Sequence, residues 1–271
     1  MKSKFLLMMF MLVFVVSPMS LMAQDEGDED DLDDLDLSVS ATETDTESKY
    51  FSLGAGFIGQ FHFTNLDGIA TDLEAAGFTG TGDFNTPIFM MGAHGFTAIG
   101  IVPNLRIGFF GMAGSNEITQ NVTINDAAAT IGYEYEISMT GLSFDYAIVP
   151  MRQLAILPGA NLGYGAMTME SWRTPNDGVD WDNFLGSADE DYYFNRATAS
   201  IFFLEPNLKI EYAVAPFVML RLQGSYIVNI SKGDWEFNRT GKFNDGTSSF
   251  GDAKADGFSF QFGINVGLFN Y

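Results

Sequence analysis

The sequence predicts an all-β fold, an antiparallel up-and-down barrel whose strands cross a membrane. From Lys49 onward, apolar residues alternate with small or polar ones at a period of two, as on the two faces of a strand. The alternating runs exceed the ~5–6 residues usual for soluble strands and approach the ~9–11 that cross a bilayer. Short connections containing proline also alternate with long polar ones, which is the asymmetry of a membrane barrel.

The first and last alternating runs show the pattern most clearly. Between 50 and 64, the odd positions are apolar, as at Phe51 and Phe57, and the even positions are mostly small or polar, as at Gln60. Between 258 and 268, the even positions carry Phe, Ile, Val and Leu. Further alternating runs lie at 142–148, 204–212 and 218–229. Because lipid offers no hydrogen-bonding partner to the backbone, strands with such apolar faces must close into a barrel.

The connections predict the number of strands. Short connections lie at 102–105, 149–153 and 214–217, and long ones lie at about 65–86, 115–130, 173–192 and 231–257. The order is long, short, long, short, long, short, long, so seven connections join eight strands. Ten strands would result if the third and fourth long connections hold a further hairpin.

The N-terminal part of the chain is predicted to be an export signal followed by an acidic tail. Lys2 and Lys4 precede an unbroken apolar run over 5–16, which Ser17 and Pro18 end. That run is too short for a membrane helix, so 1–23 is predicted to be a secretory signal peptide. Residues 24–48 are acidic without an aromatic side chain and predict a disordered tail, which leaves 49–271 for the barrel.

Composition excludes several classes of protein. The chain has no cysteine, so it has no disulfide scaffold and no thiolate metal site. Its formal net charge of −22 argues against nucleic-acid binding, which needs a basic surface. The charged fraction of 18% is below the ~25% of soluble domains, as expected where part of the surface faces lipid. We expect no metal and no cofactor.

The C-terminal run GINVGLFNY, with its aromatic last residue Tyr271, completes a resemblance to a known family. Together with the alternating runs over 49–271, it resembles the small eight-stranded barrels of the OmpA or OmpW type from diderm bacteria. In that family the last residue is more often Phe. The resemblance implies a monomer in the bacterial outer membrane, exported by the signal peptide. It also implies contact with outer-membrane lipid and lipopolysaccharide, and with the barrel-assembly machinery during biogenesis.

The alternation also predicts which charged residues face the barrel interior. Six of them are candidates for an ionic network: Arg106, Asp145, Glu205, Lys209, Glu211 and Arg221. Buried charges persist when they are paired, so we expect the three cations to neutralise carboxylates inside a polar lumen. Glu134 and Glu136 are assigned to the same inward set. An eight-stranded barrel is narrow enough for its own side chains to fill.

The histidines and the external connections supply the remaining candidates. His62 lies in FHFTN, which is similar to the His-x-Ser-Asn stretch of outer-membrane lipid A deacylases, but its even position places it in the lumen, so no catalytic residue is predicted. The spacing of apolar residues over 66–77 predicts a short helix in the first long connection. The fourth connection combines aromatic and cationic residues suited to recognition at the cell surface: Trp235, Phe237, Arg239 and Lys242.

These observations favour an outer-membrane barrel with a structural or surface-recognition role through its external loops. The sequence leaves two alternatives open. One is a narrow passive, porin-like channel, and the other is a lipid A-modifying enzyme.

Overall fold

A computed structural model of the chain describes residues 50–85, 87–124, 126–176, 192–243 and 249–270. The expected signal peptide over 1–23 and the expected acidic tail over 24–48 lie outside the described residues, as does Tyr271. They stay predictions from the sequence.

The described residues are mainly strand. In chain order the strands are β1 Phe51–Thr64, β2 Ile88–Ala98, β3 Leu105–Ile124, β4 Ala127–Tyr146, β5 Ile148–Met151, β6 Leu154–Pro175, β7 Tyr193–Ala215, β8 Val218–Lys232, β9 Glu236–Phe237, β10 Gly241–Lys242 and β11 Gly257–Asn270. Helix α1, Asp67–Ala75, follows β1, and 3₁₀ turns lie at Thr81–Asn85 and Ser249–Asp252. In the part of the chain described, no helix is long and apolar enough to cross a membrane.

Eight of these strands close into a ring. The order is β1-β2-β3-β4-β6-β7-β8-β11, and β11 pairs back to β1, every neighbouring pair being antiparallel. The closing pair runs in register from Phe51 opposite Asn270 to Thr64 opposite Gly257. Since β6 pairs directly with β7 and the β9–β10 hairpin lies outside the ring, the barrel has the predicted eight strands and not ten.

The second long connection differs from its prediction. The sequence predicts a loop over 115–130, whereas β3 continues to Ile124, β4 begins at Ala127, and Asp126 has the positive φ of 64° suited to a tight hairpin. The reason is that alternation persists there: Ile118 and Ile124 keep the inward positions while the outward ones turn polar. A strand above the lipid therefore has the composition of a loop.

The outer surface carries an apolar belt that ends at a sharp boundary. On β3 the outward side chains are apolar up to Ala113, with Phe109 66% exposed, and Ser115, Glu117 and Thr119 then follow on the same face. Other outward members of the belt are Phe57, Phe61, Met91, Leu142, Phe144, Tyr164, Leu204, Leu222, Phe260 and Ile264. So much exposed apolar surface in one continuous band is the surface that lipid covers in a transmembrane barrel.

Four neighbouring strands rise above this belt. β3, β4, β6 and β7 are 20, 20, 22 and 23 residues long, whereas β1, β2, β8 and β11 have 14, 11, 15 and 14. We call the projecting sheet the ledge, which comprises residues 115–124, 127–138, 166–175 and 193–200. It extends roughly 30 Å along the strand direction, and its outward side chains are largely Ser, Thr, Asn and Glu.

The boundary of the belt predicts a contrast between two outward positions of β3. We expect Phe109→Arg to lower the free energy of unfolding by about 2–4 kcal/mol, because it places a cation in the hydrocarbon region. The matched variant Thr119→Arg lies on the same face within the ledge and should change it by less than about 0.5 kcal/mol. Denaturant titration in lipid vesicles measures both values, and equal losses would contradict this position of the membrane.

The interior has two chemically different halves. Charged and polar side chains, together with a small apolar cluster of Tyr50, Ala147, Ala155 and Leu157, fill the half near the short turns. The half near the long connections is packed with apolar side chains instead, which differs from the polar lumen expected from the sequence. Its buried members include Ile88, Met90, Phe110, Met112, Tyr135, Ile137, Met139, Met167, Ile201 and Phe203. They come mostly from β2, β3, β4, β6 and β7, whose inward positions turn apolar towards the ledge.

The first long connection closes the upper end of the interior. Its predicted helix is present as α1, and Ile69 and Leu73 on one face of it are buried against the apolar interior. The ring of Phe84 lies 5.5 Å from that of Tyr133, and Phe250 from the fourth connection packs against Tyr133 at 5.3 Å. The amide of Asn116 donates to the Phe84 carbonyl at 3.0 Å. We call these packed segments of the first and fourth connections the cap.

Candidate functional site: a buried ionic network

Arg106 is the centre of the charged half of the interior. It lies on β3 directly opposite Asp145 on β4, and its side chain is fully buried. Its Nη2 donates to Asp145 Oδ2 at 2.8 Å, and its Nη1 reaches across the lumen to Glu211 Oε2 on β7, also at 2.8 Å. One guanidinium therefore links two walls of the barrel, because its planar fork donates in several directions at once.

Two further cations complete the pairing of these carboxylates. Lys209 Nζ donates to Asp145 Oδ1 at 2.6 Å. Arg221 lies opposite Glu211 in the β7–β8 register and donates to Glu211 Oε1 through Nε at 2.7 Å, with Nη2 in ion-pair contact at 2.6 Å from the same oxygen. Each of these two carboxylates thus contacts two cations, which offsets the cost of removing the charges from water.

Glu205 is held differently from the other two acids. Its Oε2 accepts from Asn161 Nδ2 at 2.7 Å, and its Oε1 accepts from Ser225 Oγ at 2.6 Å. Within the described part of the chain, these neutral donors hold the carboxyl group without an ion pair. The six residues grouped from the sequence, three basic and three acidic, are the buried charged side chains of the described residues.

Aromatic and imidazole rings fix the two arginines in place. The guanidinium carbons of Arg106 and Arg221 lie 4.4 Å and 4.8 Å from the centre of the Phe96 ring, a geometry that stabilises both cations. Arg221 Nη1 donates to His94 Nε2 at 2.8 Å. Since a guanidinium can only donate, this nitrogen of His94 must accept, and the imidazole is neutral with its proton on Nδ1.

The space left inside the barrel is small. A void of about 10 Å³ lies among His94, Lys209 and Arg221, which is room for about one water molecule. Farther from the short turns, Gln261 donates to Gln60 at 3.0 Å and His62 shares a hydrogen bond of 2.9 Å with Ser259 Oγ. The apolar half and the cap lie beyond this polar layer. In the described part of the chain, the ionic network, this polar layer, the apolar half and the cap thus follow one another along the interior.

The two histidines lie at different levels of the lumen, His94 beside the ionic network and His62 in the polar layer above it. His62 is fully buried in the lumen, on the side away from the lipid. Among the residues that the structure describes, no cluster of three or more His, Asp or Glu side chains could hold a metal ion.

The candidate residues of the fourth connection do not come together as one site. Trp235 is partly buried against the apolar interior, with Lys232 Nζ 5.6 Å from its ring centre. Phe237 packs edge-on against Phe243 at 5.4 Å within the β9–β10 hairpin. Arg239 and Lys242 are exposed on that hairpin.

Glu134 and Glu136 face outward, in contrast to their sequence assignment. Both have the parity of Leu142 and Tyr146, whose side chains are on the lipid-facing surface. Counting by twos from Leu142 would have identified this orientation. Glu134 lies between Glu117 on β3 and Glu170 on β6, and the three carboxylates form a row across the outer face of the ledge. Assigning Glu134 and Glu136 to the lumen conceals this row.

The fold and the belt define the class of this chain: a small, eight-stranded, antiparallel membrane β-barrel. No family model matches the sequence, and no curated protein does. A major outer membrane protein from Thermus thermophilus has 8% identity and a TM-score of 0.45, covering 80% of this chain and 98% of that one.

Ail, the attachment invasion locus protein of Yersinia pestis, has 8% identity and a TM-score of 0.33 over 82% of this chain and 99% of its own. CarO2 of Acinetobacter baumannii has 6% identity and a TM-score of 0.32 over 80% of this chain and 100% of its own. The barrel itself is established by the closed ring of antiparallel strand pairs.

Proposed function

We propose that this protein is a monomeric barrel of the bacterial outer membrane with a closed lumen, and that its role is structural or recognition at the cell surface. The filled interior is the observation that carries the proposal. Arg106, Asp145 and Glu211 join opposite walls at the short-turn end, and the apolar half and the cap block the other end. A solute would have to displace both.

The ledge supplies the surface for recognition. It raises polar and charged side chains of β3, β4, β6 and β7 well above the apolar belt, where lipid does not reach them. The belt fits outer-membrane lipid, and the polar positions just above it fit contact with lipopolysaccharide. Export by the signal peptide and insertion by the barrel-assembly machinery belong to the same proposal. A buried His62 gives no support to lipid A modification.

Conductance in planar bilayers tests the closed lumen. We expect the purified protein to give no steady ohmic openings. A variant in which residues 66–85 are replaced by a short Gly-Ser linker should also stay silent, because the ionic network still blocks the short-turn end. Steady openings of the unaltered protein would overturn the closed lumen and favour the porin-like channel. Openings only in the linker variant would show that the cap is the sole barrier.

A further inference from the structure

A pocket of about 550 Å³ lies on the ledge, in the part where β6 and β7 rise highest. This volume is in the range of small-molecule sites, ~300–1,000 Å³. Its described lining combines three aromatic residue types with carboxylates and a guanidinium. The lining residues that matter here are Glu117, Glu134, Glu170, Trp172, Arg173 and Tyr193. The pocket is separate from the ionic network and from the apolar interior.

Trp172 forms a flat aromatic floor. It stands opposite Gly132 on β4 and Phe194 on β7. Its indole ring occupies the place that a side chain at Gly132 would fill, so the ring lies against the sheet at that glycine. A large ring held against a glycine has few rotamers open to it, and such a preorganised surface loses little entropy when a ligand stacks on it.

Carboxylates flank this floor. Glu117, Glu134 and Glu170 are direct cross-strand neighbours, a placement that costs stability because like charges lie opposite each other. Glu170 is paired with Arg196 at 3.5 Å. Arg173 follows Trp172 on β6, so its side chain lies on the other face of the sheet, over the ring of Tyr193 at 5.3 Å. The pocket therefore offers several hydrogen-bond acceptors beside the indole ring.

We propose that this pocket binds a pyranose ring of a carbohydrate. The apolar face of the sugar stacks on Trp172, and its hydroxyl groups donate to the row of glutamates. An anionic ligand would meet three carboxylates, and a simple cation would leave the indole floor unused. A neutral ring with many hydroxyl groups uses both the indole and the carboxylates. The proposal rests on the recognition role of the ledge, and it names the ligand class of that role.

Saturation-transfer NMR and calorimetry in a sugar-free detergent test the proposal. The probes are lactose, chitotriose and the core oligosaccharide released from lipopolysaccharide, so that a glycan from outside and the membrane's own sugar are separate arms. We expect saturation of the ring methine protons of at least one probe. Trp172→Ala and Glu134→Gln should weaken its binding ~10-fold or more. Trp172→Phe, which keeps a ring, should weaken it less.

Matched controls separate the pocket from the rest of the ledge. Glu136→Gln removes a carboxylate from the same strand and face, outside the pocket, and should leave binding unchanged. The heat-modifiable migration of each variant in a gel reports whether its barrel is folded. Absence of binding by every probe, or equal binding by the unaltered protein and a folded Trp172→Ala variant, overturns the inference. Either result leaves the silent conductance of the barrel intact, so the closed lumen is judged separately.

Discussion

Replacing Arg106 by methionine is expected to lower the free energy of unfolding by about 3–5 kcal/mol, because it removes the cation from two buried ion pairs, with Asp145 and with Glu211. Methionine keeps much of the volume and removes the charge. Asp145 then retains Lys209, and Glu211 retains Arg221, but each carboxylate loses a charge-assisted hydrogen bond of 2.8 Å in a dry interior. Denaturant titration of the protein in lipid vesicles measures the loss.

Arg196→Met is the control for this prediction. Arg196 is also ion-paired, with Glu170 at 3.5 Å, but half of its side chain is exposed to water. An exposed pair contributes little, so the expected loss is less than about 1 kcal/mol. Similar losses for the two variants would mean that water reaches Arg106, and the lumen would then be open at the short-turn end.

Phe203→Ala is expected to cost about 3–5 kcal/mol, because it leaves a cavity in the apolar half of the interior. Phe203 is fully buried, packs edge-on against Phe110 at 6.3 Å, and fills the space over Gly163. The glycine and the phenylalanine are complementary, since a side chain at position 163 would occupy the place of the ring. The same titration measures the effect.

The neighbouring residue supplies the control. Phe202 precedes Phe203 on β7 but points outward, where it is 38% exposed and faces lipid. Lipid tails fill the space that Phe202→Ala leaves, so the expected loss is well below that of Phe203→Ala. A larger loss for Phe202 would reverse the assignment of the two faces of β7.

The sequence predicts the eight-stranded ring and the apolar belt, but it does not predict how far β3, β4, β6 and β7 extend above the belt. Period-two alternation marks strands wherever the outer face meets lipid, as at Phe109. Above the lipid the outer face is polar, and the stretch from Ser115 resembles a loop in composition although Ile118 and Ile124 continue the alternation. At this point the outer face of β3 passes from lipid into water, while its backbone stays extended. Residue composition therefore indicates which solvent the outer face meets, and the alternation of inward and outward positions indicates the strand.

The ionic network shows a second limit of the sequence. Parity places Arg106, Asp145, Lys209 and Glu211 in one lumen. It does not predict that Arg106 reaches Glu211 across the barrel, because that contact depends on the stagger between strands. The outward orientation of Glu134 could have been predicted by counting in steps of two along β4 from Leu142. The pocket at Trp172 could not be predicted, since it depends on which residues of four strands come into register.

The unequal lengths of the strands also limit how deep the barrel can sit in the bilayer. The register of β2 with β3 ends at Met91 opposite Ala113, and among the described residues no strand pairs with β3 on that side farther up. If the barrel sank deeper, this edge of β3, which has no neighbouring strand, would enter hydrocarbon, where water no longer satisfies backbone amide and carbonyl groups. If it rose, Phe109 and its neighbours would enter water. Strand pairing thus limits immersion close to the point where the outer face turns polar.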